Sequence, residues 1–205
     1  MDKRLFFSST HKNRVAIGEV LSKALPKKGS VLEIGSGSGE HGVIFQERFP
    51  ELVWQTSDPE LSHRNSISSW IEFNKLESKM PQPIDINVNN RPWNLMKVIQ
   101  STLKAVVCIN MIHISPWEST INLFGGAGQH LKKNGLLILY GPFKKNGEHT
   151  SYSNSLFDDV LKEKNSTWGV RDLEEVKEIG LNNGFEAENI IQMPANNLSL
   201  VFRIT

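Results

Sequence analysis

Val31-Leu32-Glu33-Ile34-Gly35-Ser36-Gly37-Ser38-Gly39-Glu40-His41-Gly42 carries the densest chemical signal of the chain: an apolar strand runs into a glycine turn that opens a helix. Glycines have no Cβ, so the backbone turns sharply and comes close to a ligand, while the free N–H groups of the helix start face whatever is bound. Gly37-x-Gly39-x-x-Gly42 fits the dinucleotide fingerprint, which seats a pyrophosphate on the helix N-terminus. Glu33 points to a different ligand. A carboxylate two residues before Gly35 repels a pyrophosphate and suits a cationic amino-acid moiety. The remaining alternative is a glycine-rich turn that binds nothing.

S-adenosylmethionine carries such a moiety, and the acid-x-Gly-x-Gly-x-Gly spacing resembles motif I of class I methyltransferases. Gly35, Ser36, Gly37 and Gly39 then form the cradle, with Glu33 behind it and His41 at the helix start, where a packed or solvent-facing histidine is the competing reading. Asp58 follows the next strand and suits a carboxylate that accepts both ribose hydroxyls, or else a turn residue in Ser57-Asp58-Pro59. Asp85 suits an acceptor for the adenine amino group with Ile86 packed on the ring. Asn110 and Met111 end a later strand, beside the methyl-bearing sulfonium.

These residues need elements to position them. Helices are expected at 13–25, 39–49, 61–75, 117–131, 154–164 and 173–183, and strands at 31–34, 52–56, 84–88, 106–110 and 135–140. The strands are short and apolar on both faces, as in a parallel sheet covered by helices. A long polar loop is expected over 141–153. Two apolar segments at 187–192 and 198–204 are separated only by Met193 to Asn197, too little for a crossover helix, so they form an antiparallel hairpin. The expected fold is α/β and Rossmann-like, a mainly parallel seven-stranded sheet closed by that hairpin. A nicotinamide domain continues in parallel instead. Residues 1–205 carry no linker or repeat and read as one domain.

Composition bounds the rest. With 23 basic and 22 acidic residues there is no general reason to expect nucleic acid as a partner. No apolar run reaches membrane-spanning length and no basic-then-apolar leader opens the chain, so a cytoplasmic protein without membrane association is expected. Cys108, the one cysteine, lies in an apolar run and forms no internal disulfide. No paired His or Cys spacing marks a metal site. The oligomeric state stays open.

Longer strings carry a finer resemblance. Cys108 to Trp117, Leu139-Tyr140-Gly141-Pro142-Phe143, Trp168 to Leu173 and Met193 to Arg203 are similar to an uncharacterised S-adenosylmethionine-dependent methyltransferase-like family, the one that includes methyltransferase-like protein twenty-six. The resemblance covers nearly the whole chain. It implies cofactor and fold and leaves the methyl acceptor open. The chain departs from the family at Gly35, Glu40 and Ala16, where alanine, glutamine and proline are typical.

Methyl transfer is an in-line displacement that needs an aligned nucleophile, exclusion of water and, for a protonated acceptor, a base. His113 is the candidate base, since an ordinary imidazole titrates near neutrality; a structural imidazole bonded to a carbonyl is the alternative. Tyr140, Asn154, Asn196 and Asn197 suit orientation of a polar acceptor, and Trp117 and Phe143 suit enclosure of its apolar body. Arg171 suits an anionic substrate or a structural pair with Asp172 or Asp158. Asn13 and Arg14 fold over the site from the N-terminal side. The leading expectation is a methyltransferase acting on a small molecule. A nicotinamide-dependent oxidoreductase and a cofactor-binding or interaction protein without catalysis are the competing classes.

Overall fold

Strands β1 (Gly29–Ile34) and β2 (Leu52–Ser57) bury Val31, Leu32, Ile34, Leu52 and Trp54, as a sheet covered on both faces requires. They pair in parallel, from Gly29 opposite Leu52 to Ile34 opposite Ser57. The computed structural model describes residues 2–205, which form two compact units, one up to Val107 and the other from Cys108 to Thr205.

In the first unit β1 lies between β2 and β3 (Leu103–Ile109), a strand that continues into the second unit. The helices are α1 (Ser8–Ala24), α2 (Glu40–Arg48), α3 (Leu61–Phe73) and the short α4 (Lys97–Thr102). Helix α1 starts five residues before the apolar pattern does, because its first turns bury the polar side chains Thr10 and Asn13. Val15 is 62% exposed, and the inner face is Ile17, Val20 and Leu21. The strand expected at 84–88 is only a parallel bridge of Ile84 with Ser57. Past this bridge the Asp58 carbonyl accepts from Arg64 and the Glu60 N–H donates to the Asp58 side chain, so the groups that a longer ladder would need are taken.

The second unit places a 3-10 turn (Met111–His113) after β3, then α5 (Trp117–His130) and β4 (Leu136–Lys145). These are followed by β5 (Glu148–His149), α6 (Tyr152–Lys164), β6 (Arg171–Asp172), α7 (Leu173–Asn182), β7 (Phe185–Met193) and β8 (Asn197–Ile204). The C-terminal hairpin forms as its short link demands, with Phe185 opposite Ile204 and Met193 opposite Asn197. Strand β8 is also antiparallel to β4, from Leu136 opposite Arg203 to Pro142 opposite Asn197. That pairing overturns the loop expected from residue 141. Strand β4 runs on to Lys145, turns through Asn146 and Gly147, and returns as β5, while β6 pairs with it in parallel at Phe143 and Lys144. Phe124 anchors the core, edge-on to Phe185 at 5.7 Å and to Phe202 at 5.1 Å.

Candidate functional site

The glycine turn of the first unit has the backbone its sequence requires. Gly35, Gly37 and Gly39 have φ of 66°, 55° and 91°, a region other residues enter only with strain. Gly39 caps α2, and a Cβ there would stand 2.7 Å from Ile67 Cγ1. Asp58, at the end of β2, faces this turn: Gly37 N–H donates to its Oδ2 at 2.9 Å. Its Oδ1 accepts from Glu60 N–H and meets His63 Nδ1, both at 3.0 Å. Ser36 locks the turn to β2 through its N–H to the Ser57 carbonyl at 2.9 Å.

Glu33 lies behind the turn, 1% exposed, and accepts a hydrogen bond from Trp54 Nε1–H at 2.9 Å. Burial pushes its carboxyl up to about 7, against the pull of Trp54 and Ser36 and with a further push from Asp58. At neutral pH it is poised between its two forms, a state that a cation placed beside it would resolve. Glu40, where the family resemblance led to glutamine, accepts from Phe7 N–H and from Ser38 Oγ, each at 2.8 Å.

Other expected members of this site are placed differently. His41 Nε2 and Asn13 Oδ1 bond each other at 2.8 Å, and the ring stacks on Phe45. Burial and the nearby charge of Arg14 pull His41 down to about 4. The two side chains pin α1 to α2. Asp85 is exposed and pairs with Arg64 at 3.0 Å, while Ile86 is buried.

In the second unit Asn110 adopts the left-handed conformation, φ 60°, and donates its N–H to the Tyr140 carbonyl at 2.8 Å. The turn that follows buries His113 at 1% exposure, edge-on to Phe143 at 5.1 Å. Neither ring nitrogen of His113 makes a close hydrogen bond among the described residues, although the Gly169 backbone pulls weakly on the ring. A Cβ on Gly141 would collide with the imidazole. Burial, reinforced by the Arg171 charge, pulls His113 down to about 3, so the near-neutral titration of an ordinary imidazole does not apply. Phe143 is fully buried and belongs to the core rather than to an open pocket. Met111 receives the Ser115 hydroxyl on its carbonyl and its sulfur.

The four polar residues expected around an acceptor fall into two hydrogen-bonded sets. Asn197 Nδ2 donates to the Tyr140 hydroxyl at 3.0 Å, Asn154 Nδ2 donates to the Asn196 carbonyl at 2.9 Å, and Asn196 Nδ2 reaches Ser153 Oγ at 3.4 Å. Arg171 makes neither expected carboxylate pair. It donates to the carbonyls of Ile112, Ser115 and Thr167 and lies over Trp117 at 5.6 Å. Trp117 and Arg171 line a cavity of about 600 Å³ together with Trp168, Lys144 and Asp158.

Sequence reasoning missed Asp158 as a centre of its own. Its buried carboxylate meets Lys162 Nζ at 2.7 Å, Lys144 Nζ at 3.2 Å and His149 Nε2 at 3.2 Å, and accepts from Val170 N–H at 2.7 Å. The Asp158–Lys162 spacing of four was a readable helical signal; Lys144 arrives from another element. Tyr140-x-x-x-Lys144 was also overlooked, and its supposed absence had weighed against an oxidoreductase. That spacing serves oxidoreductases on a helix, where the two side chains meet. On β4 it spreads their backbones over roughly 13 Å, and Lys144 is engaged by Asp158 while Tyr140 is engaged by Asn197.

The sequence profile of the family described as "Protein of unknown function (DUF938)" matches residues 4–204. The chain belongs to this family. Among solved structures this DUF938 chain is similar to an O-methyltransferase family protein from Burkholderia thailandensis, with a TM-score of 0.78 and 13% identity over 96% of this chain and 57% of that one. It is similar also to an O-methyltransferase family 2 protein from Planctomyces limnophilus in complex with apigenin, with a TM-score of 0.76 and 12% identity over 96% and 61% of the two chains. A third likeness is to CalO1, a methyltransferase in calicheamicin biosynthesis in its S-adenosylhomocysteine-bound form, with a TM-score of 0.71 and 13% identity over 96% and 55%. These likenesses show the fold, that of class I methyltransferases: an α/β sheet, mostly parallel, ending in an antiparallel hairpin. The DUF938 chain spans a little over half the length of each. Among its described residues no helix is long and apolar enough to cross a membrane.

Proposed function

We propose that the chain is an S-adenosylmethionine-dependent methyltransferase acting on a small-molecule acceptor, with residues 1–205 as one catalytic domain in the cytoplasm. Kinship with methyltransferase-like protein twenty-six is part of the same reading. The observation that carries it is the cradle of the first unit: a glycine turn with no room for side chains, a carboxylate at Asp58 bonded to that turn, and a buried Glu33 carboxyl behind it. A dinucleotide pyrophosphate would meet two carboxyl groups there; an ammonium and a ribose suit both. The structural neighbours bound to S-adenosylhomocysteine and to apigenin support the same choice of ligand and acceptor class.

When bound, the cofactor supplies an electrophilic methyl group. Glu33 would hold the amino-acid end and would release its proton on doing so. Asp58 accepts the ribose hydroxyls, and Gly35, Ser36, Gly37 and Gly39 let the backbone come close. Asp85, once released from Arg64, and Ile86 would serve the adenine. His113 stays neutral down to acid pH and would accept the proton of a hydroxyl acceptor, as a weaker base than an ordinary imidazole. Tyr140, Asn154, Asn196 and Asn197 would orient that acceptor by hydrogen bonds, and Arg171 and Trp117 would receive its outer part.

Calorimetric titration with S-adenosylhomocysteine and with NAD tests the cofactor, and saturable binding of the first alone is expected. Binding of NAD alone would overturn the reading. Transfer of labelled methyl groups to a metabolite extract then tests the chemistry. His113→Ala is expected to keep S-adenosylhomocysteine affinity while turnover falls by roughly a hundredfold. The acid limb of wild-type turnover set by His113 is expected to lie near pH 3 rather than near neutrality.

A further inference from the structure

The segment ahead of α1 crosses the glycine turn. Leu5 N–H donates to Ser66 Oγ at 2.8 Å, Trp70 Nε1–H donates to the Leu5 carbonyl at 3.1 Å, and Phe7 N–H donates to Glu40 Oε2 at 2.8 Å. The first two anchors stand on α3 and the third on the opening residue of α2, so residues 5–7 bridge the two helices that frame the turn. Ser66 passes the link inward, donating to the Ser38 carbonyl at 2.6 Å. On the outer side Arg4 lies over the Phe73 ring at 3.6 Å and Phe6 is edge-on to Trp70 at 5.1 Å.

Phe7 comes down on the turn itself. A Cβ on Gly37 would stand 2.9 Å from Phe7 Cε2. The same ring is edge-on to His63 at 5.8 Å, and Gly37 N–H and His63 Nδ1 are two of the groups that hold Asp58. Core packing does not account for this placement, since Phe7 is 39% and Phe6 66% exposed. A half-exposed ring gains from further cover, and the polar groups beneath it are those of the cradle. Phe7 is also the extended residue that precedes α1, with φ −109°, so rotation at this junction moves the strap without disturbing the helix.

We infer that Phe7 and His63 are cofactor-contacting residues and that the strap of residues 4–7 is the outer wall of the cradle, which must lift from Gly37 each time the ligand enters or leaves. This inference rests on the cofactor reading above. The strap is held by a few hydrogen bonds and ring contacts at the protein surface, the kind of element that opens locally without global unfolding.

Stopped-flow exchange of S-adenosylhomocysteine on the full chain, with hydrogen exchange followed at the Leu5 and Phe7 amides, tests it. Trp70→Phe removes an anchor and no group of the cradle; association and dissociation are both expected to speed up by roughly threefold or more, with affinity little changed. Phe7→Ala removes the wall, and dissociation is expected to speed up at least about tenfold more than association. Exchange at both amides is expected to slow when the ligand is bound. Tight binding with unchanged rates in both variants and unchanged amide exchange would overturn the inference and leave the cofactor reading standing. Failure of the wild-type chain to bind S-adenosylhomocysteine would overturn both.

Discussion

Glu33 in the first unit and Asp158 in the second are each 1% exposed, and they end in opposite states. Burial alone would raise both. At Glu33 burial wins, because the only strong donor is the neutral indole of Trp54, and the group is pushed up to about 7. At Asp158 the hydrogen bonds from Lys162, the Val170 N–H and Lys144 outweigh burial and hold the carboxyl at about 2. Asp158 has its cations built into the fold. Glu33 has none, and a carboxyl left without a counter-charge in the interior is a place for a charge that arrives from outside.

The two groups therefore act on stability at opposite ends of the pH scale. Asp158 has a lowered folded-state value, so its contribution of about 2 kcal/mol is present above pH 4 and is lost as pH falls toward 2. Glu33 has a raised value. Between about 4.5 and 7 the folded chain holds a proton that the unfolded chain has released, so stability falls by about 3 kcal/mol as pH rises through that window.

The largest effect is expected from Asp158→Ala, which strands Lys144 and Lys162 against each other and removes about 3–5 kcal/mol of stability at pH 7. Urea unfolding measures it, and a loss under about 1 kcal/mol would show that the cations are solvated rather than paired. Glu33→Gln is expected to do the reverse. It gains up to about 3 kcal/mol at pH 8 and little at pH 4, while S-adenosylhomocysteine binding weakens. In the wild type, titration at pH 7 in buffers of differing ionisation enthalpy is expected to reveal proton release on binding. Equal stability of Glu33→Gln and wild type at both pH values would erase the contrast between the two groups.

Asp58→Asn is expected next in size, weakening S-adenosylhomocysteine by about 2 kcal/mol through loss of charge-assisted bonds. Unchanged affinity in calorimetry would reduce Asp58 to a turn residue. The smallest effect belongs to Ser151→Ala, since Ser151 Oγ accepts the Asn154 N–H at 3.2 Å and caps the helix that carries Asp158. A loss of about 1 kcal/mol in thermal unfolding is expected, with the acid transition of Asp158 unmoved.

The contrast also separates what the sequence displayed from what it withheld. Glu33 was legible because its neighbours in sequence are its neighbours in space: strand, glycine turn and helix form one local unit. The C-terminal hairpin was legible for the same reason, since a short link leaves one geometry open. Asp158 was not, because two of its partners come from β4 and β5, and β4 itself could not be followed past Tyr140. Gly141, Pro142 and two lysines look like a loop, yet pairing with β8 holds the first two in a strand and pairing with β5 the lysines. The strand expected at 84–88 failed in the other direction, with apolar residues that suit a ladder opposite backbone groups of residues 58 and 60 that are already bonded. At His113 the residue type was readable and its protonation was not, since burial is a property of the whole fold. Phe7 and His63 left no motif, because their importance arises from three helices meeting at a glycine.

Gly141 and His113 share one volume: the imidazole occupies the space where a side chain at 141 would begin. Mutation can therefore reach this region only in a fixed order. Loss of the ring at 113 relieves the clash at 141 and leaves only the strain of φ 159° and the Asn110 side chain at 3.3 Å, whereas the opposite order meets the clash as well. An evolving lineage that kept the imidazole would thus be confined to glycine at 141, whatever else changed around it, and one that shed it could not readily regain it after 141 had been filled. Chemistry at one position is the historical gatekeeper of packing at the other.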